Sequence, residues 1–188
     1  MIIAEQYRWW ARYNRWMNER LYAQAATLSD ADRRRDLGAF FRSLHGTLNH
    51  VLWADRIWMW RFTNDAAIGA SRDRAGNVIE YRLHDQELYA DFGDLRRERA
   101  KTDRDIETWA DGLDAERLAA PIRYSSVSAG AREHPLWMAV THFFNHETHH
   151  RGQATTLLKQ LGRDPGVTDF MAFLWEAQDA AHGGSHVA

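Results

Sequence analysis

The segment from Pro135 to Leu161 constrains the fold more than any other part of the chain. Its apolar residues recur at spacings of three and four, which is the period of an α-helix. Proline is favoured at the first position of a helix and glycine just beyond the last, and Pro135 and Gly162 occupy those places. The sequence therefore predicts one long helix here, and the fold must accommodate its full length.

Four of the ten histidines lie within nine residues of this predicted helix: His142, His146, His149 and His150. His146 and His150 are four residues apart, so their side chains project from one face, about 40° apart around the helix axis. Two imidazoles at this spacing can reach one metal ion. His142 lies about 60° from the midpoint of this pair and competes as a ligand, whereas His149, at about 80°, is better placed to support the site.

The same residues also form the pattern His-Glu-x-x-His, in which Glu147 would be the general base of a zinc protease. Such a protease needs a third ligand further along the chain, and Glu176 is the obvious candidate. No strand-rich region precedes the motif to form a substrate-binding edge, which counts against this alternative.

Composition limits both the ligands and the partners. The chain has 188 residues, of which 45% are hydrophobic, which suits one sizeable core and is short for two domains. The net charge is -2 with interleaved signs, so we expect no nucleic-acid partner. Because the chain has no cysteine, histidine and carboxylate remain as metal ligands. No signal pattern or membrane-length apolar run is present, so we expect a cytoplasmic protein without a membrane partner.

Three other segments show the helical period, at residues 3–28, 40–62 and 85–109. We expect Asp85 to cap the third, because aspartate accepts hydrogen bonds from the free N–H groups of a first turn. Arg99 interrupts the apolar stripe in the middle of that helix. Its head either reaches an acidic neighbour or forms an anion-binding group inside the fold.

The first predicted helix is apolar over a wide arc, because Trp9, Tyr13 and Trp16 form a second row beside the main stripe. These extra aromatic residues either complete the core or face a partner subunit. On the second helix, His50 lies in a row of small residues where a ligand would have room. A lone histidine in such a place is more often a hydrogen-bonded core residue, so the residues alone leave its role open.

The connections and the C-terminal end complete the fold prediction. Residues 63–84 form a long loop rich in turn formers, and residues 110–134 form a connection with a short extended piece that begins at Ile122. After Pro165 a short amphipathic helix follows, and residues from about 177 to 188 are expected to be a disordered tail. Four long helices without a convincing strand pattern predict an all-α fold for the single domain 1–188, a four-helix bundle with long connections and a short C-terminal helix.

Three groups of residues follow one another through nearly the whole chain. They are Thr47-Leu-Asn-His50-Val-Leu-Trp-Ala-Asp55-x-x-Trp58, Asn145-His146-x-x-His149-His150-Arg151-Gly152-Gln153, and Leu161-Gly162-x-x-Pro165 with Thr168-Asp169-Phe170. In order and spacing they resemble the DinB/YfiT-like family of metal-binding four-helix-bundle proteins. The resemblance implies that His50, His146 and His150 hold a divalent metal ion, with water in the remaining positions. It also implies that Glu147 is not a base and that the protein forms a homodimer.

The resemblance supports a fold and a site more strongly than a reaction. Relatives include thiol S-transferases that use bacillithiol or mycothiol and a thiol-dependent maleylpyruvate isomerase. The leading hypothesis is therefore a metal-dependent enzyme that transfers a low-molecular-weight thiol to a small-molecule substrate. The alternatives are a metal-dependent hydrolase that uses bound water and a non-catalytic, stress-associated module that binds a metal or ligand. Affinity order favours Zn or Ni, with Fe and Mn as alternatives.

Six further residues are candidates to support the ligands or contact the substrate. Arg99 or Arg151 could hold a carboxylate of the thiol, because guanidinium groups bind carboxylates in a bidentate manner. The full set is His142, Asn145, His149, Arg151, Asp55 and Arg99. No residue of the chain is singled out as the catalytic group, since the sequence contains no thiol nucleophile of its own.

Overall fold

The computed structural model describes residues 2–126 and 130–181. Within these ranges the chain is mostly helical, as predicted. The helices are α1 (Ile2–Ala26), α2 (Asp30–Arg34), α3 (Leu44–Thr63), α4 (Ala66–Gly69), α5 (Phe92–Asp111), α6 (Ala115–Ala119), α7 (Leu136–Gln160) and α8 (Phe170–Ala181). None of them combines the length and apolar character needed to cross a membrane within the described part of the chain.

Two helices begin later than their apolar patterns predict. The predicted start of α3 at residue 40 is wrong, because Ser43 caps the helix and its side chain accepts a hydrogen bond from the Gly46 N–H. The predicted cap of α5 at Asp85 is also wrong, because Asp91 takes that role. A pattern of apolar residues cannot choose between two aspartates that both have a capping side chain.

The connection between α3 and α5 is bound to α3 along its length. The Asn49 side-chain oxygen accepts a hydrogen bond from the Tyr89 N–H at 2.9 Å, which holds residues just before α5 in a non-helical conformation. Arg56 donates to the Ala70 carbonyl at 2.9 Å and to Glu98 on α5 at 2.7 Å. A long loop is therefore fixed against the helices by buried polar groups of α3.

Each long helix packs mainly against two others: α1 and α3 both contact α5 and α7. The buried apolar residues form two separate clusters. Members of the first include Tyr7, Met59, Ile106 and Phe143. Members of the second include Leu21, Leu48, Leu95 and Leu158. Early residues of α1 and α7 thus meet late residues of α3 and α5, so α1 and α7 run one way and α3 and α5 the other.

A layer of buried polar side chains separates the two apolar clusters, and we refer to it as the polar layer. Every long helix contributes to it at the point between its two sets of apolar residues. Its members are Asn14, Asn18, Asp55, Arg56, Arg99, Thr102, Asp103, Glu147, His150 and Arg151. Buried charges need partners, so this layer restricts how the four helices can align.

Two short antiparallel hairpins occur within the described residues. Strands β1 (Ser71–Arg72) and β2 (Val78–Ile79) pair in the connection between α3 and α5. Strands β3 (Pro121–Ser126) and β4 (Gly130–Pro135) pair before α7. The extended piece predicted from Ile122 is confirmed as far as residue 126, and residues 127 and 128 lie outside the described residues. The sequence contained no signal for the partner strand, because it has no Val, Ile, Thr, Phe, Tyr or Trp.

Helix α8 covers the second aromatic row of α1. Phe173 packs against Trp9, Tyr13 and Trp16, with ring centroids 5.7 to 6.0 Å apart. Glu176 accepts hydrogen bonds from the Trp16 indole and from Arg20, which fixes the helix at its polar edge. The aromatic row that suggested a partner subunit is therefore covered within the chain.

The expected disordered tail begins too early in the sequence prediction. Residues 177–181 belong to α8, since the amphipathic pattern continues past Glu176 with Ala177 half-buried against the same surface. Residues 182–188, the rest of the expected tail, lie outside the described residues.

We predict that Phe173→Ala lowers the free energy of unfolding by about 3 kcal/mol, because it removes a buried ring from contact with three aromatic residues of α1. The matched control is Trp175→Ala on the same helix, whose side chain is 59% exposed and should change stability by less than about 0.5 kcal/mol. Urea denaturation followed by circular dichroism measures both. Equal stability of the two variants would show that α8 does not pack in this way.

Candidate metal centre

Three histidines from two helices converge at the interface between α3 and α7. The Nε2 atom of His146 lies 3.1 Å from Nε2 of His150 and 3.4 Å from Nε2 of His50. All the candidate ligand atoms lie within 4.8 Å of one another. The pair predicted from its spacing on α7 thus meets His50, whose role the residues alone left open.

Hydrogen bonds fix which nitrogen of the His50 and His150 rings faces the cluster. His50 Nδ1 donates to the backbone carbonyl of His84 at 2.7 Å, and His150 Nδ1 donates to the Gln153 side-chain oxygen at 2.8 Å. A carbonyl oxygen only accepts, so the proton of each ring is on Nδ1 and the Nε2 lone pair faces the other histidines. Such support of the outer nitrogen is typical of histidines that bind metals.

The arrangement fits a divalent metal ion. Three nitrogens placed tetrahedrally at about 2.05 Å from one ion would lie about 3.3 Å apart, close to the two distances that join the Nε2 atoms. Burial lowers the pKa of His50 to about 4 and that of His146 to about 3, and it lowers the pKa of His150 as well. All three rings are therefore neutral at neutral pH, which is the form that binds a metal.

A cleft of about 400 Å³ opens beside the three histidines. Phe41 stacks on the His50 ring with centroids 3.9 Å apart, and Phe40 stands 72% exposed at the rim. His84 and Gln153 also line the cleft. Phe41 and His84 could not be predicted as part of the site, because the apolar pattern places Phe41 in a helix and His84 in a loop with no periodic pattern.

Comparison with known proteins identifies the family of the chain. A family model described as the DinB family matches residues 6–181. The chain belongs to the DinB family. It is similar to Protein DinB of Bacillus subtilis (strain 168), with 22% identity over 163 residues that cover 87% of this chain and 90% of that protein. No solved structure matches the chain.

Two further histidines of α7 take different places. His142 packs against Trp58 with ring centroids 5.2 Å apart and lies outside the group of three. His149 is exposed, and its Nε2 lies 3.2 Å from the Gln153 amide nitrogen, which donates to it. Gln153 thus connects His149 to His150, and a supporting role of His149 at the site stays a prediction.

The protease alternative does not fit this geometry. Glu147 is fully buried and lies 3.6 Å from Arg151 and beside Asp55, inside the polar layer. Burial, and then the negative charge of Asp55, raise the pKa of Glu147 well above its ordinary value, and its position inside the polar layer keeps it away from a substrate. Glu176 accepts hydrogen bonds from Trp16 and Arg20 on the outer side of α1 and does not approach the histidines.

Arg99 does not line the cleft beside the histidines. It forms buried ion pairs with Asp55 on α3 and, at 2.9 Å, with Asp103 one turn along α5. Burial disfavours its charged form, but Asp103 and Asp55 together raise the pKa of Arg99. Of the two roles that the sequence left open, the structure assigns Arg99 an acidic neighbour, and the expectation that it holds a substrate carboxylate is wrong.

Asp55 connects the polar layer to the three histidines. Its negative charge raises the pKa of His50, His146 and His150, which opposes the larger lowering by burial. It also pairs with Arg99 on the neighbouring helix. A single carboxylate therefore binds α5 to α3 and adds negative charge next to the candidate metal site.

We predict that Asp55→Asn lowers the free energy of unfolding of the metal-free protein by about 3 kcal/mol, because Arg99 loses one of two buried counter-ions. Asp85→Asn is the matched control, since Asp85 is exposed and lies in the connection before α5. Its stability should stay within about 0.5 kcal/mol of the unmodified chain. Chemical denaturation in the presence of EDTA measures both, and a stable Asp55→Asn variant would contradict the role assigned to this ion pair.

Proposed function

We propose that the protein binds one divalent metal ion through His50, His146 and His150, at the centre of a four-helix bundle formed by α1, α3, α5 and α7. The observation that supports this most directly is the convergence of three Nε2 atoms, with Nδ1 of His50 and of His150 already hydrogen-bonded. Three neutral imidazoles from the protein leave coordination positions open, which is typical of catalytic rather than structural sites.

We further propose that the reaction joins a low-molecular-weight thiol to an electrophilic small molecule. When bound, a divalent ion supplies Lewis acidity that lowers the pKa of a thiol or a water molecule reaching it. The thiol sulfur forms a bond to an electrophilic carbon, the leaving group departs with the bonding electrons, and the thiol proton is released. The chain has no cysteine, so the sulfur comes from the co-substrate.

Residues of the chain supply the place where the co-substrates meet. The cleft of about 400 Å³ lies within the size range of small-molecule sites. Phe40 and Phe41 form an apolar wall, and Phe41 holds the His50 ring in position by stacking. His149 and Gln153 add polar groups at the opposite side of the cleft. Low-molecular-weight thiols are kept reduced in the cytoplasm, so the proposal includes a cytoplasmic location.

We predict that the purified protein contains about one divalent metal ion per chain, and that His50→Ala reduces zinc affinity by about 100-fold or more because it removes one of three ligands. His142→Ala is the matched control, since its ring lies one turn from His146 but outside the group of three. Elemental analysis and calorimetric titration with zinc measure content and affinity. Equal metal content in the His50→Ala and unmodified proteins would rule out this site.

We predict metal-dependent conjugation of chlorodinitrobenzene when a suitable thiol is present. A panel that includes bacillithiol, mycothiol and glutathione is assayed with the metal-loaded protein, with the EDTA-treated protein and with His50→Ala. Activity should need both the metal and one thiol. If no thiol supports conjugation, the transferase proposal fails, while hydrolysis of ester substrates by the same loaded protein would favour a hydrolase that uses water.

A further inference from the structure

A second pocket lies on the other side of α7 from the histidines. It has a volume of about 370 Å³ and lies between α1, α7 and the start of α8. At about 100° per residue, the midpoint of Thr148 and Arg151 lies about 150° around α7 from the midpoint of His146 and His150. The two pockets share no lining residue, so this is a separate site.

Aromatic rings form most of the wall of this pocket. Trp10 and Phe144 pack edge to face with ring centroids 5.7 Å apart, and Tyr13 and Phe170 do the same at 5.2 Å. The Tyr13 hydroxyl donates to the Thr168 carbonyl at 2.5 Å, which connects the wall to the segment before α8. Rings held in this way offer faces and edges to a further aromatic ring.

Arg151 supplies a buried positive charge at the pocket, although the residue is only 4% exposed. Its guanidinium donates to the Asn14 side-chain oxygen and, at 3.3 Å, to the Thr148 hydroxyl. The nearest carboxylate is Glu147, whose oxygen lies 3.6 Å away and makes no hydrogen bond with it. The hydrogen-bond partners of Arg151 are therefore neutral groups among the described residues.

Arg99 shows how a buried arginine is compensated elsewhere in the same polar layer. It has two carboxylate partners, Asp55 and Asp103, on two helices. Burying a charge without such partners is costly, and an anion that enters beside Arg151 would offset that cost. Asn145 stands exposed at the same pocket, and its amide makes no hydrogen bond with any described residue, so it can donate to a ligand.

We propose that this pocket binds a small planar aromatic carboxylate, with its ring between the aromatic walls and its carboxylate directed toward Arg151 and Asn145. A guanidinium favours carboxylate because its planar fork matches two oxygens. A single aromatic ring fits within the volume and can pack against the edges of Trp10 and Phe170. The sequence predicts a carboxylate partner for Arg151 at the histidine site, but Arg151 lines the pocket on the other side of α7.

The test uses 4-fluorobenzoate and its neutral analogue 4-fluorobenzamide, each followed by fluorine NMR with the EDTA-treated full chain. We expect 4-fluorobenzoate to bind about tenfold or more tightly than the amide, because only the acid carries the charge that Arg151 can pair. Failure of the acid to bind, or equal affinity for acid and amide, overturns the proposal.

Variants locate the bound ligand. Phe170→Ala should weaken binding of the acid by about tenfold, since it removes one aromatic wall, while Trp175→Ala on the same helix should leave it unchanged. Arg151→Lys keeps the positive charge but loses the planar guanidinium fork. It should weaken binding of 4-fluorobenzoate by about tenfold and change binding of the amide little. If Arg151→Lys does not fold, the affinity of Phe170→Ala for the acid and the comparison of acid with amide still decide whether the proposal holds.

His50→Ala separates this proposal from the proposed metal function. It should abolish metal binding at the histidines and leave the affinity for 4-fluorobenzoate unchanged, because the two pockets lie on different sides of α7. Loss of 4-fluorobenzoate binding in His50→Ala, with binding retained in Phe170→Ala, would place the ligand at the histidine cleft and overturn the second site.

Discussion

The buried ion pairs of Arg99 with Asp55 and Asp103 are the interaction on which the rest of the structure depends. Arg99 lies on α5, Asp55 lies on α3, and Asp103 accepts hydrogen bonds from Asn18 on α1 at 2.9 Å. Apolar side chains tolerate small shifts along a helix, but a buried charge without its partner is costly. The polar layer therefore fixes the alignment of the helices in a way that the two apolar clusters do not.

The position of the candidate metal centre follows from this alignment. His50 and Asp55 lie five residues apart on α3, so the helix that brings Asp55 to Arg99 also brings His50 to the face of α7. On α7, Glu147 belongs to the polar layer, while its neighbour His146 joins His50 and His150 in the group of three. The same turn of helix thus contributes one side chain to the fold and one to the site, because consecutive residues on a helix point in different directions.

Much of the candidate site could be predicted from local spacing. The four-residue interval between His146 and His150 indicated a two-ligand face, and their Nε2 atoms do lie 3.1 Å apart. The angle of His149 on the helix indicated that it lies away from this pair, and it contacts Gln153 rather than the other two rings' Nε2 atoms. By contrast, the contact of Phe41 with His50 and the carbonyl of His84 could not be predicted, because both come from irregular segments whose path depends on tertiary contacts such as that of Asn49 with Tyr89.

The sequence by itself determined the all-α class, the extent of α7 to within a residue, and the chemistry available to a metal site without cysteine. These properties follow from covalent spacing along one helix and from composition, so they need no knowledge of neighbours. Only the tertiary structure decided that Asp91 rather than Asp85 caps α5, that α8 covers the aromatic row of α1, and that Arg151 lines a pocket away from the histidines. Each of these depends on which segments distant in sequence come together, and that is decided by the packing of the whole chain.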